Sequence, residues 1–397
     1  MIPQAYPPEW AFRLALRTRA ARWQRQQQLS SAQLASVEAA YPPDYYRPVW
    51  PVRVALFLFA WLGLLMTGGL SFLIVGESPI AAGLISCAAC FGVLELLIRE
   101  RRFYHAGADN ALLYAGLGTA TGLIFYVSSE YIWPVSLARY TLGSPQLVPT
   151  LLLTLALLFA AARRYADALV TAAAFLTALL IVAIAGLQTA VGQALLPFLI
   201  MAAAGGTLAL HRTLLRRLAG TWLADYYALC LLTLKVLALV VLYLGGNYLA
   251  VREGNAALHD LLVSEQVPFA PLFYAFTAGI PLLYIGLGLR RADRPTLLVG
   301  LLALAFSLFT LRYYRALLPP EVAAVAAGAL LMLAAGVLLR RLRPARFGLT
   351  SLPDDEPRFF DLENLVQAQT AHAPGAPASG FEFGGGESGG GGATGKF

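Results

Sequence analysis

Residues 231–241 read LLTLKVLALVV, and a single lysine, Lys235, sits in that run with apolar side chains for a full helical turn on either side. The apolar stretch extends over 225–248, and about 20 mostly apolar residues in a helix cross the hydrocarbon core of a bilayer. Similar runs occupy roughly 52–75, 79–98, 111–135, 148–162, 168–191, 195–211, 268–289, 296–313 and 321–340, which makes ten in all. The reading is therefore an all-α polytopic membrane helix bundle. The fourth run is short, and only RRYAD separates it from the fifth, so these two are expected as a tight helical hairpin.

Composition agrees with this reading. The 397-residue chain is 58% hydrophobic and 13% charged, whereas soluble domains carry about a quarter charged residues. Its formal charge of +7 does not indicate nucleic acid, because the basic residues lie in short clusters between apolar runs. Cytoplasmic loops of membrane proteins carry the excess of Lys and Arg. Arginines cluster before the first span, then in alternate loops at 99–102, 163–164, 212–217 and 290–294, and after the last run at 340–346. With Arg358 and Lys396 of the tail, this puts 24 of the 29 basic residues on one side. A missing or extra helix would scramble the alternation. Both termini are thus expected in the cytoplasm, with the bundle in the cell inner (plasma) membrane.

Three regions follow. Residues 1–50 form a cytoplasmic segment, 51–342 the bundle, and 343–397 a cytoplasmic tail. In PEWAFRLALRTRAARWQR (8–25) apolar residues recur at helical spacing with basic ones between them, and Ser30 or Ser31 is placed to cap a second helix. The expectation is an amphipathic hairpin lying on anionic inner-leaflet lipids through Arg13, Arg17, Arg19, Arg22 and Arg25, with docking of a protein partner as the other reading. Trp50 falls where an interfacial aromatic anchor belongs. In the tail, DDEPRFFDLENLVQAQTA has the pattern of one short amphipathic helix. GFEFGGGESGGGGATGKF is too polar and Gly-rich to bury a core.

WQRQQQLSSAQLASVEAAYP, followed by RPVWPVRVALFLFAWLGLLMTGG, resembles the opening of the DUF2157 family of bacterial membrane proteins. The closing FTLRYYRALLPPEVAAVAAGALLMLAAGVLLRRLR resembles that family's last two helices. The resemblance implies a helical hairpin ahead of a membrane bundle. It implies no activity.

Motifs for chemistry are sparse. Cys87 and Cys90 form a lone CxxC within an apolar run, which reads as small side chains filling a helix interface. GLGTATG (116–122) follows no strand and precedes no lysine, so Gly118 and Gly122 read as a helix-packing face rather than a phosphate loop. His259 and Asp260 share the longest outer loop but do not face each other on a helix. No catalytic set, metal cluster or cofactor motif emerges, and the chain is read as a non-enzyme.

Ionisable groups at membrane depth remain. Such groups usually face the bundle interior and pair, so Lys235 is expected to meet Glu95, near the inner end of the second span. Two functional readings stay open: a membrane scaffold or sensor with cytoplasmic docking segments, and a small-molecule transporter built as two inverted halves of five helices.

Overall fold

The computed structural model describes residues 4–75, 78–133, 144, 146–259 and 261–315, with isolated positions between 325 and 340. Among the described residues the chain is helical, with no strand and one isolated bridge, between Tyr46 and Phe103. Among the described residues nine helices are long and apolar enough to cross a bilayer. This is a multi-pass membrane protein. The tenth expected span and the tail lie largely or wholly outside the described residues.

Two short helices come first, α1 (Pro8–Arg25) and α2 (Ser31–Ala40). Pro8 opens α1, where its missing N–H is no loss. Ser30 caps α2 in a reciprocal box, accepting from the Gln33 backbone N–H while the Gln33 side chain accepts from its own.

The spans are α3 (Trp50–Val75), α4 (Pro79–Arg101), α5 (Ala108–Val127), α6 (Leu147–Tyr165), α7 (Ala168–Leu187), α8 (Ala190–Leu218), α10 (Ala228–Gly246), α12 (Ala270–Arg290) and α13 (Arg294–Arg315). Between them lie α9 (Leu223–Tyr226) and α11 (Tyr248–Leu258), and five π-helical residues, Ser128–Ile132, prolong α5. Polar caps decide where several helices begin. Ser78, Asp167, Thr189 and Asn247 each accept a backbone N–H of the helix that follows.

The expected hairpin of the fourth and fifth runs is present. Ala166, in the left-handed region, ends α6, and Asp167 at once caps α7. The sixth span is longer than its apolar run: α8 continues through His211 and Arg212 to Leu218, because arginine-rich sequence stays helical once it leaves the hydrocarbon. At the other end of α8 a Cβ on Gly192 would sit 2.2 Å from the Gly186 carbonyl oxygen. Only glycine allows so close a turn from α7.

One motif reading needs correction. A Cβ on Gly118 or Gly122 would meet nothing within 4 Å, and it is at Gly116 that one would press on Cys90 and Phe91 of α4. Gly116 is two residues from Gly118, about half a turn round the helix, so the contact falls on the face opposite the pair that the four-residue spacing picked out. Cys90 is buried in that same contact, as the interface reading of the CxxC required.

Packing differs between the halves of the bundle. Span α4 lies along α5 in the first half, while the corresponding α10 and α12 touch only in part. Conversely α8 lies along α10 and α12 along α13, where their counterparts, α3 with α4 and α5 with α6, meet sparsely.

Candidate functional site

The arginine-rich segments gather at one end of the bundle, and the N-terminal hairpin is fastened across that end. The Ala5 N–H donates to the Arg164 carbonyl. The Tyr6 hydroxyl donates to Asp109 Oδ2 at 2.9 Å, while Asp109 Oδ1 accepts the backbone N–H groups of Ala106 and Gly107. Tyr6 and Asp109 are almost wholly buried. Burial first, and then the Asp109 charge, push the Tyr6 phenol well above its ordinary range.

Trp10 and Tyr6 enter an aromatic group with Tyr45 and Tyr104, at ring separations of 5.2–6.5 Å. Aromatic pairs of this kind add about 0.5–1.5 kcal/mol beyond their burial. Burial lifts the Tyr104 phenol to about 12. From below, Tyr226 and Tyr227 donate to the carbonyls of Arg164 and Arg163. The first helix of the hairpin is thus part of the protein core.

That placement changes the role of its arginines. Arg13 pairs with Asp44, Arg17 with Glu38 at 3.3 Å, and Arg19 with Asp225 at 2.6 Å. Three of the five residues expected on lipid therefore meet carboxylates of the chain itself. Arg22 and Arg25 have no such ion pair among the described residues. The physical reason is that α1 buries Trp10 and Ala11 on the bundle, which brings Arg13, Arg17 and Arg19 alongside Asp44, Glu38 of α2 and Asp225 of α9.

The expected Lys235–Glu95 pair does not form. Lys235 Nζ bonds Asp293, in the turn between α12 and α13, and Asp293 also accepts the Thr296 hydroxyl at 2.7 Å. Lys235 lies seven residues into α10, about 10 Å at the helical rise, and its stem spans the remaining depth to the interface. Burial raises the Asp293 pKa, but hydrogen bonds from Lys235 and Thr296 outweigh it and hold the carboxyl below its usual range. Glu95 is held elsewhere: Arg164 donates to Oε1 through Nε at 3.0 Å and Nη2 at 2.6 Å, Tyr165 donates to the same oxygen at 2.9 Å, and Arg99 lies 3.6 Å from Oε2. Each ion nearest the interface takes the partner offered by the adjoining turn.

Above Asp109 and beside α1 lies a cleft of about 760 Å3. Its polar wall carries Arg19, Arg22, Arg47, Arg53, His105 and Asp167. Asp167 is engaged by Asn110 at 2.9 Å and Tyr114 at 3.0 Å, besides capping α7. Arg47 lies over the Tyr104 ring at 5.4 Å. Half-buried His105 is depressed to about 4, first by burial and then by Arg47 and Arg53, against the pull of Asp167. It is neutral at physiological pH. Gly107 closes the floor: its φ is +108°, and a Cβ there would lie 2.1 Å from the Arg53 carbonyl oxygen.

The far end carries its own polar set. Asn247 bonds Tyr243 and Thr310, and Glu253 accepts from Ser264 and Tyr314, bonds that pull its carboxyl below the usual range. His259 contacts the Asn255 carbonyl at 2.9 Å. Among the described residues no group of His, Cys, Asp or Glu has the arrangement of a metal site.

Sequence reasoning passed over Tyr6, Asp109, Asp167, Arg164 and Asp293. Asp109 and Asp167 did carry a signal, since each stands at the start of an apolar run, where a carboxylate meets helix N–H groups. Tyr6 carried none. Fold and site together define a polytopic α-helical membrane protein with a helical cap on its arginine-rich end. No family model, no curated protein and no solved structure matches the chain.

Proposed function

We propose that the chain is a membrane scaffold or sensor of the inner (plasma) membrane, whose capped end lies in the cytoplasm and presents α2 to a protein partner. The carrying observation is that the hairpin is anchored through α1 and the segments flanking the hairpin, while α2 itself has no buried residue. Helix α1 is locked by Tyr6, Trp10 and the Ala5 backbone. Helix α2 packs on α1 and leaves a face of small side chains, Ala32, Ala35, Ser36 and Ala39, in the open. Small residues let a second helix approach closely. A hairpin of this kind ahead of a bundle is also what the DUF2157 resemblance implies. A transporter made of inverted halves has weaker support, because corresponding helix pairs in the two halves pack differently.

Photo-crosslinking amino acids at Ala35 and Ala39, compared with lipid-facing Leu84, test the reading in native membranes. Discrete protein adducts from the two α2 positions and none from Leu84 are expected. The same adduct pattern at all three sites would overturn it. Reporter fusions at 105 and 293 should read cytoplasmic and at 257 external, and one inversion would reverse the placement of the cap.

A further inference from the structure

We propose that the cleft between α1 and the bundle holds the phosphate headgroup of one anionic phospholipid, between Arg22, Arg47 and Arg53. Four arginines line the cleft. Arg19 is neutralised by Asp225 and His105 is neutral, so three arginines face the single carboxylate of Asp167. Asp167 is already turned towards Asn110, Tyr114 and the first turn of α7. None of Arg22, Arg47 and Arg53 has a carboxylate partner among the described residues.

Donor geometry gives the second strand. Arg53 Nε is buried and meets no acceptor among the described residues. A buried donor left without an acceptor is costly, and an anionic oxygen in the cleft removes that cost. Guanidinium groups suit phosphate because their N–H fork matches two of its oxygens.

The other wall decides between a lipid and a soluble anion. It is apolar, made by Trp50, Val54, Phe57, Leu169 and Leu229. Leu169 and Leu229, at the beginnings of α7 and α10, are each 58% exposed on the surface that a bilayer covers. The cleft is therefore polar at its inner part and open sideways to acyl chains. That is the profile of an amphiphile at the headgroup level, beside the interfacial Trp50. Arg22 belongs to the cap, so an occupied cleft would also tie α1 to the start of α3.

Native mass spectrometry of the full chain in nonionic detergent tests this, with phosphatidylglycerol, phosphatidylcholine and inorganic phosphate as probes. One equivalent of phosphatidylglycerol should be retained at least tenfold more tightly than phosphatidylcholine. Arg47→Gln with Arg53→Gln should bring that preference below threefold, while Arg216→Gln with Arg217→Gln, exposed at the same end outside the cleft, should leave it intact. Should the cleft variant fold poorly, Leu169→Trp narrows the apolar wall with every arginine in place and should displace the lipid equally. Unchanged retention in both variants, or equal retention of the two lipids, overturns the proposal. Displacement of the lipid by millimolar phosphate assigns the site to a soluble anion and overturns the lipid occupant.

Discussion

Replacing Tyr6 by phenylalanine tests whether the cap is fastened by one buried hydrogen bond. The ring stays in its aromatic group, and only the oxygen that donates to Asp109 at 2.9 Å is lost. Asp109 keeps its bonds from the Ala106 and Gly107 N–H groups, but Oδ2 is left without the tyrosine donor in a site shut off from solvent. Hydrogen bonds to charged groups contribute about 1.5–3 kcal/mol, and each 1.4 kcal/mol is a factor of ten, so α1 should detach about 10- to 150-fold more often. Hydrogen–deuterium exchange of the full-length protein in detergent reads this directly, as faster exchange in the peptide covering 8–25 with the bundle peptides unchanged. Trp10→Ala supplies the scale. It removes a large buried ring, costs about 3–5 kcal/mol, and should release α1 more completely than Tyr6→Phe. Exchange over 8–25 within twofold of the parent in Tyr6→Phe would show that the bond does not hold the cap. Acceleration spread evenly over the bundle would show that the cap is not a separate unit.

Three further outcomes follow from the same geometry. Lys235 and Asp293 are 18% and 24% exposed, between surface and buried pairs, so Lys235→Met or Asp293→Asn alone should destabilise by about 1–3 kcal/mol while the double variant is nearly neutral. Combined with Glu95→Gln, Lys235→Met should be additive within about 0.5 kcal/mol, because those residues do not meet; thermal unfolding in detergent measures both cycles. His105 titrates near 4 in the folded chain against 6.5 ordinarily, so the unfolded chain takes up the proton first as pH falls. The stabilising difference is full above about pH 6.5 and is lost towards 4, and His105→Gln should flatten the fall in melting temperature across that window. Gly107→Ala should destabilise by more than about 1 kcal/mol, since φ is positive and the Arg53 carbonyl occupies the Cβ position; an unchanged melting temperature would refute the close approach.

The apolar runs and the alternation of arginines determined the class of fold by themselves. Both follow from solvent: hydrocarbon demands satisfied backbone over a fixed thickness, and basic clusters mark the loops of one side. The α1–α2 hairpin and a serine cap at 30 or 31 were equally legible, because capping is local chemistry within four residues, and the structure places the cap at Ser30. The partners of Lys235 and Glu95 were not. Several charges share each depth, and which carboxylate an ammonium reaches depends on which turns the packing brings alongside; here the α12–α13 turn brings Asp293 to Lys235. The arginines of α1 show the same limit. Their spacing marked a basic face, but only the docking of Tyr6 and Trp10 decided that Arg13, Arg17 and Arg19 turn to protein carboxylates. The cleft is the furthest from sequence of all. Its walls come from positions 11 to 229, and it exists because a helix that opens the chain is packed across the ends of helices far along it.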